Sequence, residues 1–237
     1  MKVAVVTGSS RGLGRALVLA LAQEGYTVVV HFHKSIGEAS EVLRQVRTKS
    51  PDSIKVHANL TDEKQVEVMF GEILAKVGRV DLLVNNVGNF LLREFAKTTN
   101  RQFRNILESN IYSTLFASRA VLPQMRKRKS GQIVNIGAVG AERIILRKRV
   151  VPYYLAKSGV YILTKVMASE EAKNGIKINM ISPGSMALDI FKASDFPMGR
   201  SAKYTDVISA LKFLISDEAK YISGANIEVA GAFIPGF

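Results

Sequence analysis

Thr7-Gly8-Ser9-Ser10-Arg11-Gly12-Leu13-Gly14 is the stretch that decides the fold. It ends an expected strand, Val3–Thr7, and opens an expected helix. Gly8 permits a tight turn. Gly12 lets the backbone approach a ligand with no Cβ in the way. Gly14 lets the helix pack closely on the strand. The free N–H groups and the dipole of the helix then face an anion, here a pyrophosphate. A glycine triplet between a strand and a helix near the N-terminus predicts dinucleotide binding at Gly8, Ser10, Arg11, Gly12, Leu13 and Gly14.

Outward from this turn, short β-branched runs alternate with helical patterns. Strands are expected at Val3–Thr7, Thr27–His31, Ser53–Ala58, Leu82–Asn85, Gln132–Ile136, Lys177–Ile181 and Asn226–Val229. They seldom alternate apolar with polar residues, as parallel strands buried on both faces do. After Thr61, the residues Val66, Met69, Phe70, Ile73, Leu74 and Val77 fall at helical spacing. Thr61 or Asp62 can cap that helix and Gly78 can end it. The expected class is α/β: a Rossmann doubly wound parallel sheet of about seven strands with helices on both faces. No linker or repeat divides the chain, so one domain is expected over 1–237.

The end of the second strand bears on the cofactor. A site for NAD usually has an acid there for the ribose 2′-hydroxyl. Here the chain reads Val30-His31-Phe32-His33-Lys34-Ser35, with no acid. His33, Lys34 and Ser35, with Arg11 from the glycine turn, can surround a 2′-phosphate, which a cation attracts. NADP(H) is the expected cofactor. The alternative for Lys34 is an ordinary exposed lysine.

Composition narrows the class further. Hydrophobic residues are 47% and charged residues 22% of the 237, a globular balance with material for a core. The absence of cysteine excludes disulfides, thiolate zinc sites and cysteine nucleophiles. The three histidines, His31, His33 and His57, lack an acidic cluster, so no metal is expected. No apolar run approaches the roughly 20 residues of a membrane span. The first apolar run breaks after Val6, too early for a signal peptide, and a cytoplasmic location is expected. The net charge is +13. Between Arg119 and Arg149 lie nine basic residues and one acid, Glu142. That stretch is either a solvated face or an attractor for an anionic partner. No nucleic-acid recognition motif accompanies it.

Tyr153-Tyr154-Leu155-Ala156-Lys157 opens another helical pattern. Residues at i and i+4 share a face, so Tyr153 projects with Lys157 and Tyr154 with Ser158. An ammonium beside a phenol is expected to lower its pKa and ready it for proton transfer. The order Thr7–Gly14, Asn85-Asn86-Val87-Gly88, Asn110, Tyr153 with Lys157, then Pro183-Gly184 resembles the short-chain dehydrogenase/reductase family from end to end. That resemblance implies a general acid at Tyr153. It implies that Lys157 holds the nicotinamide ribose and lowers the tyrosine pKa, and that Asn110 holds a water. Asn86 and Gly88 would lie beside the adenosine ribose, Asn59 and Leu60 beside the adenine, and Pro183 and Gly184 beside the nicotinamide. Within the family, Gln132–Gly137 and Phe213–Ala219 resemble 3-oxoacyl-(acyl-carrier-protein) reductases. His31–Ser35 and Ala219–Gly224 resemble pteridine reductases. Both groups favour NADPH. The family also implies a homodimer or homotetramer built on the helices after Leu107 and Tyr153.

One departure bears on catalysis. The family places a serine after the fifth strand to hydrogen-bond the substrate carbonyl, and pteridine reductases place an aspartate there. Here the residue is Ala138. The 15-residue spacing from Ala138 to Tyr153 exceeds the family's usual spacing. The extra length carries Arg143, Arg147, Lys148 and Arg149. Losing one donor at a developing oxyanion costs on the order of 10²–10³ in rate. Smaller departures are Val87 in the Asn-Asn-Ala-Gly motif, Leu188 for a threonine, and Ala230 for an aspartate. The Ser185–Phe196 lid segment is also short. The expected activity is NADPH-dependent reduction of a small-molecule or carrier-bound carbonyl, anionic in keeping with the basic stretch, as in a 3-oxoacyl-(acyl-carrier-protein) reductase. The alternatives are a silent member that binds NADP(H) for sensing or assembly, and a pteridine reductase.

Overall fold

The computed structural model describes residues 1–144, 147–186 and 191–234. The central β-branched runs pair side by side in parallel and are covered on both faces, while the two edge runs, 54–57 and 226–229, carry polar residues and are only partly buried. They form one sheet from β1 (Val3–Val6), β2 (Thr27–Phe32), β3 (Ile54–His57), β4 (Leu82–Asn85), β5 (Gly131–Ile136), β6 (Ile176–Pro183) and β7 (Asn226–Val229). The seven strands lie in the order β3-β2-β1-β4-β5-β6-β7, every pair parallel. The order reverses between β1 and β4. In open sheets of this kind a ligand binds in the crevice at that reversal, beyond the carboxyl ends of the strands.

Helices cover both faces. They are α1 (Gly12–Gln23), α2 (Ile36–Arg47), α3 (Glu63–Val77), α4 (Asn100–Leu107), α5 (Ser113–Arg128), α6 (Val151–Glu171) and α7 (Tyr204–Ile215). Alternate residues of β1 feed two cores. Ala4 and Val6 pack with Leu17 and Leu21 of α1, Val42 of α2 and Leu214 of α7. Val3 and Val5 pack with Phe70 and Ile73 of α3, and Val121 and Met125 of α5. Asp62, rather than Thr61, caps α3 by accepting from the Gln65 N–H, and Gly78 ends it at φ 76°.

The amino ends of the central strands are tied by one carboxylate. Asp81 accepts from the Val3 N–H at 2.8 Å, from Arg79 at 2.5 Å and from Arg128 of α5 at 2.8 Å. Its own N–H and C=O continue the ties to Val3 and Gln132. Burial alone would raise this carboxyl's pKa. The hydrogen bonds from Arg79, Arg128 and Val3 outweigh it and hold the pKa below the usual value. A lowered folded-state pKa contributes stability above the unfolded value of about 3.9, and that contribution fades as pH falls through the folded value. Asp81→Ala is therefore expected to cost about 2–3 kcal/mol in urea unfolding at pH 7. The gap between variant and wild type should narrow as pH drops below about 4. A gap that stays constant to low pH would remove the charge from this account.

Candidate active site

The crevice at the β1–β4 reversal is held by Thr7 and Asn86. Thr7 Oγ1 accepts from the N–H groups of Asn86 at 2.8 Å and Val87 at 3.1 Å. The Asn86 amide donates back to the carbonyls of Thr7 at 2.9 Å and Gly8 at 3.3 Å. Gly8 and Gly12 both have positive φ, 62° and 55°. A Cβ on Gly14 would lie 2.4 Å from the Gly8 carbonyl oxygen, so close packing of α1 on β1 demands glycine. A Cβ on Gly12 would meet only the Tyr204 hydroxyl, at 3.7 Å, so this side of the turn is open. The first turn of α1 has no acidic residue and no capping side chain. Its leading N–H groups are thus available to an anion. Ser10 and Leu13 are buried behind the turn, and Arg11 is exposed at the start of α1.

His31 is a residue that the sequence pattern did not single out for the site. It is 1% exposed, inside β2. Its Nδ1 accepts from the Gly8 N–H at 2.9 Å, and its Nε2 faces the Ala58 carbonyl at 3.1 Å. Burial, opposed only in part by the bond to Ala58, lowers its pKa to about 4. His33, Lys34 and Ser35 follow β2, with His33 and Lys34 exposed. The His33 ring lies 5.9 Å from that of His57. Asn59 stays half-buried and closes a local turn, its Oδ1 accepting from Thr61. Leu60 is 4% exposed and packs into the core, so its side chain does not face the crevice.

On the other side of the crevice, α4 passes into α5 through a single widened π turn, Glu108–Tyr112. Such turns often sit at functional sites. This one carries Asn110, which is fully buried. The Asn110 amide donates to the carbonyls of Asn89 at 3.0 Å and Ile106 at 2.9 Å, while its Oδ1 is buried with no protein partner. A Cβ on Gly88 would lie 2.1 Å from that oxygen, so the glycine exists to admit the asparagine.

Tyr153 and Lys157 share one face of α6, as their spacing predicts. The Lys157 ammonium donates to the Ile136 carbonyl at the end of β5, at 2.8 Å, and lies 5.7 Å from the centre of the Tyr153 ring. Phe90 packs edge-on against that ring at 4.9 Å, a neighbour that no motif marked. The expected lowering of the tyrosine pKa is not what this arrangement produces. Burial, and secondarily Tyr154, push the Tyr153 phenol up, and burial brings Lys157 down to about 8. Desolvation acts directly on each group, whereas the ammonium points its bond at a carbonyl.

Tyr154 and Ser158 share a face as their spacing predicts, but each bonds to a different partner. The Tyr154 hydroxyl meets Arg147 at 2.5 Å and the Val139 carbonyl at 3.3 Å, while Ser158 donates to the Ala141 carbonyl. Arg147 is 6% exposed and stacks 3.9 Å over the Tyr154 ring. Tyr154, Leu155 and Ser158 line a cavity of about 890 Å³ with Phe95, Ile144 and Lys148, on a face of α6 turned away from Lys157. Ala138, two residues past the end of β5, is 5% exposed, so its methyl is buried. Pro183 ends β6, and a Cβ on Gly184 would touch Ala230 at 3.0 Å. Leu188 and part of the lid segment lie outside the described residues.

The basic stretch is divided by the fold. Arg126 pairs with Glu171, Arg128 with Asp81 and Arg143 with Glu228, while Arg147 is buried. Arg119, Lys127, Lys129, Lys148 and Arg149 remain as exposed or half-exposed cations. Among the described residues, no helix is long and apolar enough to cross a membrane, and no group of three histidines or acids could hold a metal.

Gly88 provides a direct check of this packing. Gly88→Ala is expected to cost about 2 kcal/mol of overpacking and so to lower the melting temperature by roughly 4–8 °C. Gly71→Ala on α3, where a Cβ meets nothing within 4 Å, should instead stabilise by about 0.5–1 kcal/mol. Equal melting temperatures for the two variants would show that Asn110 yields freely.

A model of the short-chain dehydrogenases matches residues 2–196. A 3-oxoacyl-(acyl-carrier-protein) reductase of Staphylococcus aureus is 34% identical over 248 residues, covering 97% of each chain. One from Synechocystis is 31% identical, covering 98% of this chain and 97% of its own. A solved Sinorhizobium meliloti structure, assigned to the short-chain alcohol dehydrogenases, superposes with a TM-score of 0.90 at 25% identity, covering 100% of this chain and 97% of its own. The chain belongs to the short-chain dehydrogenase/reductase family and is an oxidoreductase.

Proposed function

We propose that the protein, as one unit over 1–237, is an NADPH-dependent reductase of a carbonyl substrate, of the 3-oxoacyl-(acyl-carrier-protein) reductase type. The observation that carries this is the placement of Tyr153 and Lys157, on one face of α6, beside the end of β5 at the ligand crevice. The open, uncapped start of α1 fits a pyrophosphate, and the buried, unpartnered Asn110 Oδ1 fits a bound water. The exposed cations Arg11 and Lys34, with His33 and Ser35, fit the 2′-phosphate of NADP(H) better than a bare ribose.

When bound, the nicotinamide supplies the hydride. The chain's part is proton transfer and positioning. The Tyr153 phenol is protonated at neutral pH with or without the upward shift that burial gives it, and protonated is the form a proton donor to a forming alkoxide needs. Lys157, held by the Ile136 carbonyl, places positive charge at the same end of α6. Asn110 would hold the water that returns a proton. The named activity of the Staphylococcus aureus and Synechocystis relatives, and the exposed Lys148 and Arg149, support an anionic, carrier-bound substrate. Leu155, Ile162 and Val166 form an exposed apolar stripe along α6, with Tyr112 exposed before α5. That stripe supports a homodimer or homotetramer. The absence of a membrane-spanning helix among the described residues is in keeping with a cytoplasmic location.

A carbonyl screen with NADPH and NADH side by side, including an acetoacetyl thioester and a quinonoid pterin, tests the assignment. NADPH should be preferred, and Tyr153→Phe should lose nearly all turnover. Unchanged turnover in that variant would end the mechanism. A response to the pterin alone would move the protein to the pteridine reductases.

The buried methyl of Ala138 favours one other reading, a member that binds NADP(H) without efficient turnover. Ala138→Ser then restores the missing donor and should raise the rate by as much as 10²–10³. High activity in the unmodified protein, with no gain in the variant, would dismiss it.

A further inference from the structure

His31 is joined to the glycine turn by more bonds than its place in a strand requires. The Ser9 N–H donates to the His31 carbonyl at 2.9 Å, and the His31 N–H donates to Ser9 Oγ at 2.9 Å. The imidazole adds two more. Nδ1 accepts from the Gly8 N–H at 2.9 Å, and Nε2 lies 3.1 Å from the Ala58 carbonyl. A backbone N–H can only donate and a carbonyl can only accept. Both bonds are made at once only by the neutral imidazole carrying its proton on Nε2. A second proton would set Nδ1–H against the Gly8 N–H.

We propose that His31 is a positioning residue for the dinucleotide: its Nε2–H imidazole holds the Gly8 end of the phosphate turn at a fixed distance from Ala58, just past the end of β3. The proposal rests on the reading that Gly8–Gly14 binds a dinucleotide. Gly8 sits at φ 62°, a conformation with no helical or strand ladder of its own to hold it. Its N–H takes the histidine as acceptor, and its carbonyl accepts from Asn86. The turn is thereby clamped from β2 on one side and from β4 on the other. The N–H groups at the start of α1 follow a few residues later, so a shift of Gly8 moves the phosphate donors. His31 is 1% exposed, and burial favours the neutral ring the clamp needs. The other titratable groups nearby, His33 past the end of β2 and His57 on β3, are exposed and act on the ring only through their charge.

Three substitutions separate the two bonds. Asparagine places an oxygen at the depth of Nδ1, so His31→Asn keeps the acceptor for Gly8 and loses the reach to Ala58. Glutamine places its nitrogen at the depth of Nε2, so His31→Gln keeps the bond to Ala58 and loses the one to Gly8. His31→Leu loses both. NADPH affinity is read by fluorescence titration of the whole protein. Exchange of the Gly8 amide proton is read by ¹⁵N NMR without cofactor, and melting temperature is followed in parallel. The Gln and Leu variants should bind NADPH about tenfold or more weakly, with fast Gly8 exchange. The Asn variant, which keeps the Gly8 bond but not the Ala58 anchor, should fall between wild type and the Gln variant in both. The proposal is overturned if the Leu variant binds as wild type does, or if affinity follows melting temperature with Asn no better than Gln. If the wild type binds no dinucleotide, the functional reading fails instead. Gly8 exchange still judges the clamp, and equal protection in wild type and the Leu variant rejects it.

Discussion

The close approach of α1 to the end of β1 is the constraint on which the rest depends. At Gly14 a single methyl would collide with the Gly8 carbonyl, the Asn86 amide and the Ser9 Cα. That contact fixes where the first helix begins, and therefore where its unpaired N–H groups point. Asn86 and His31 then serve one purpose from two sides: the Asn86 amide donates to the Thr7 and Gly8 carbonyls and His31 accepts from the Gly8 N–H, while Thr7 in return accepts from the N–H groups of Asn86 and Val87. A parallel sheet brings β2 and β4 to either side of β1, so these residues, far apart in sequence, meet at its carboxyl end.

The same end of the sheet concentrates polar groups in a dry setting. Asn85 of β4 donates to Asn135 of β5 and to Ser118 of α5, and Asn135 donates to Thr164 of α6. These groups are all buried, where an unpaired amide is costly, and among them only the Asn85 Oδ1 lacks a partner. The network ties the strand ends to α5 and α6, the two helices that flank the site. Desolvation also sets the protonation there. It raises the Tyr153 phenol and lowers Lys157, giving a protonated acid beside a cation of reduced pKa.

Charge behaves differently in three dimensions than along the chain. The stretch from Arg119 to Arg149 looks like a block of cations with one acid. Its partners come from elsewhere: Asp81 before β4, Glu171 at the end of α6 and Glu228 on β7. Arg147 leaves the surface altogether and braces Tyr154 against the loop after β5. Four of the nine cations are thus paired with acids or buried, and five remain exposed or half-exposed. The exposed Lys148 and Arg149 keep the narrower possibility of meeting an anionic substrate near α6.

The sequence by itself determined the class of fold, all seven strands to within a residue or two, the glycine turn, and the shared face of Tyr153 and Lys157. Each is a local property: β-branched composition, glycine at positions that forbid a side chain, and the helical period. Only the tertiary structure decided which groups reach the turn and how they are charged. His31 as a brace, Phe90 against Tyr153, the π turn that buries Asn110 and the pairing of the arginines join residues distant in the chain. The raised tyrosine pKa belongs with them, because desolvation depends on what surrounds a side chain and not on what precedes it. Periodicity names the residues of a face; burial and partners settle what that face can do.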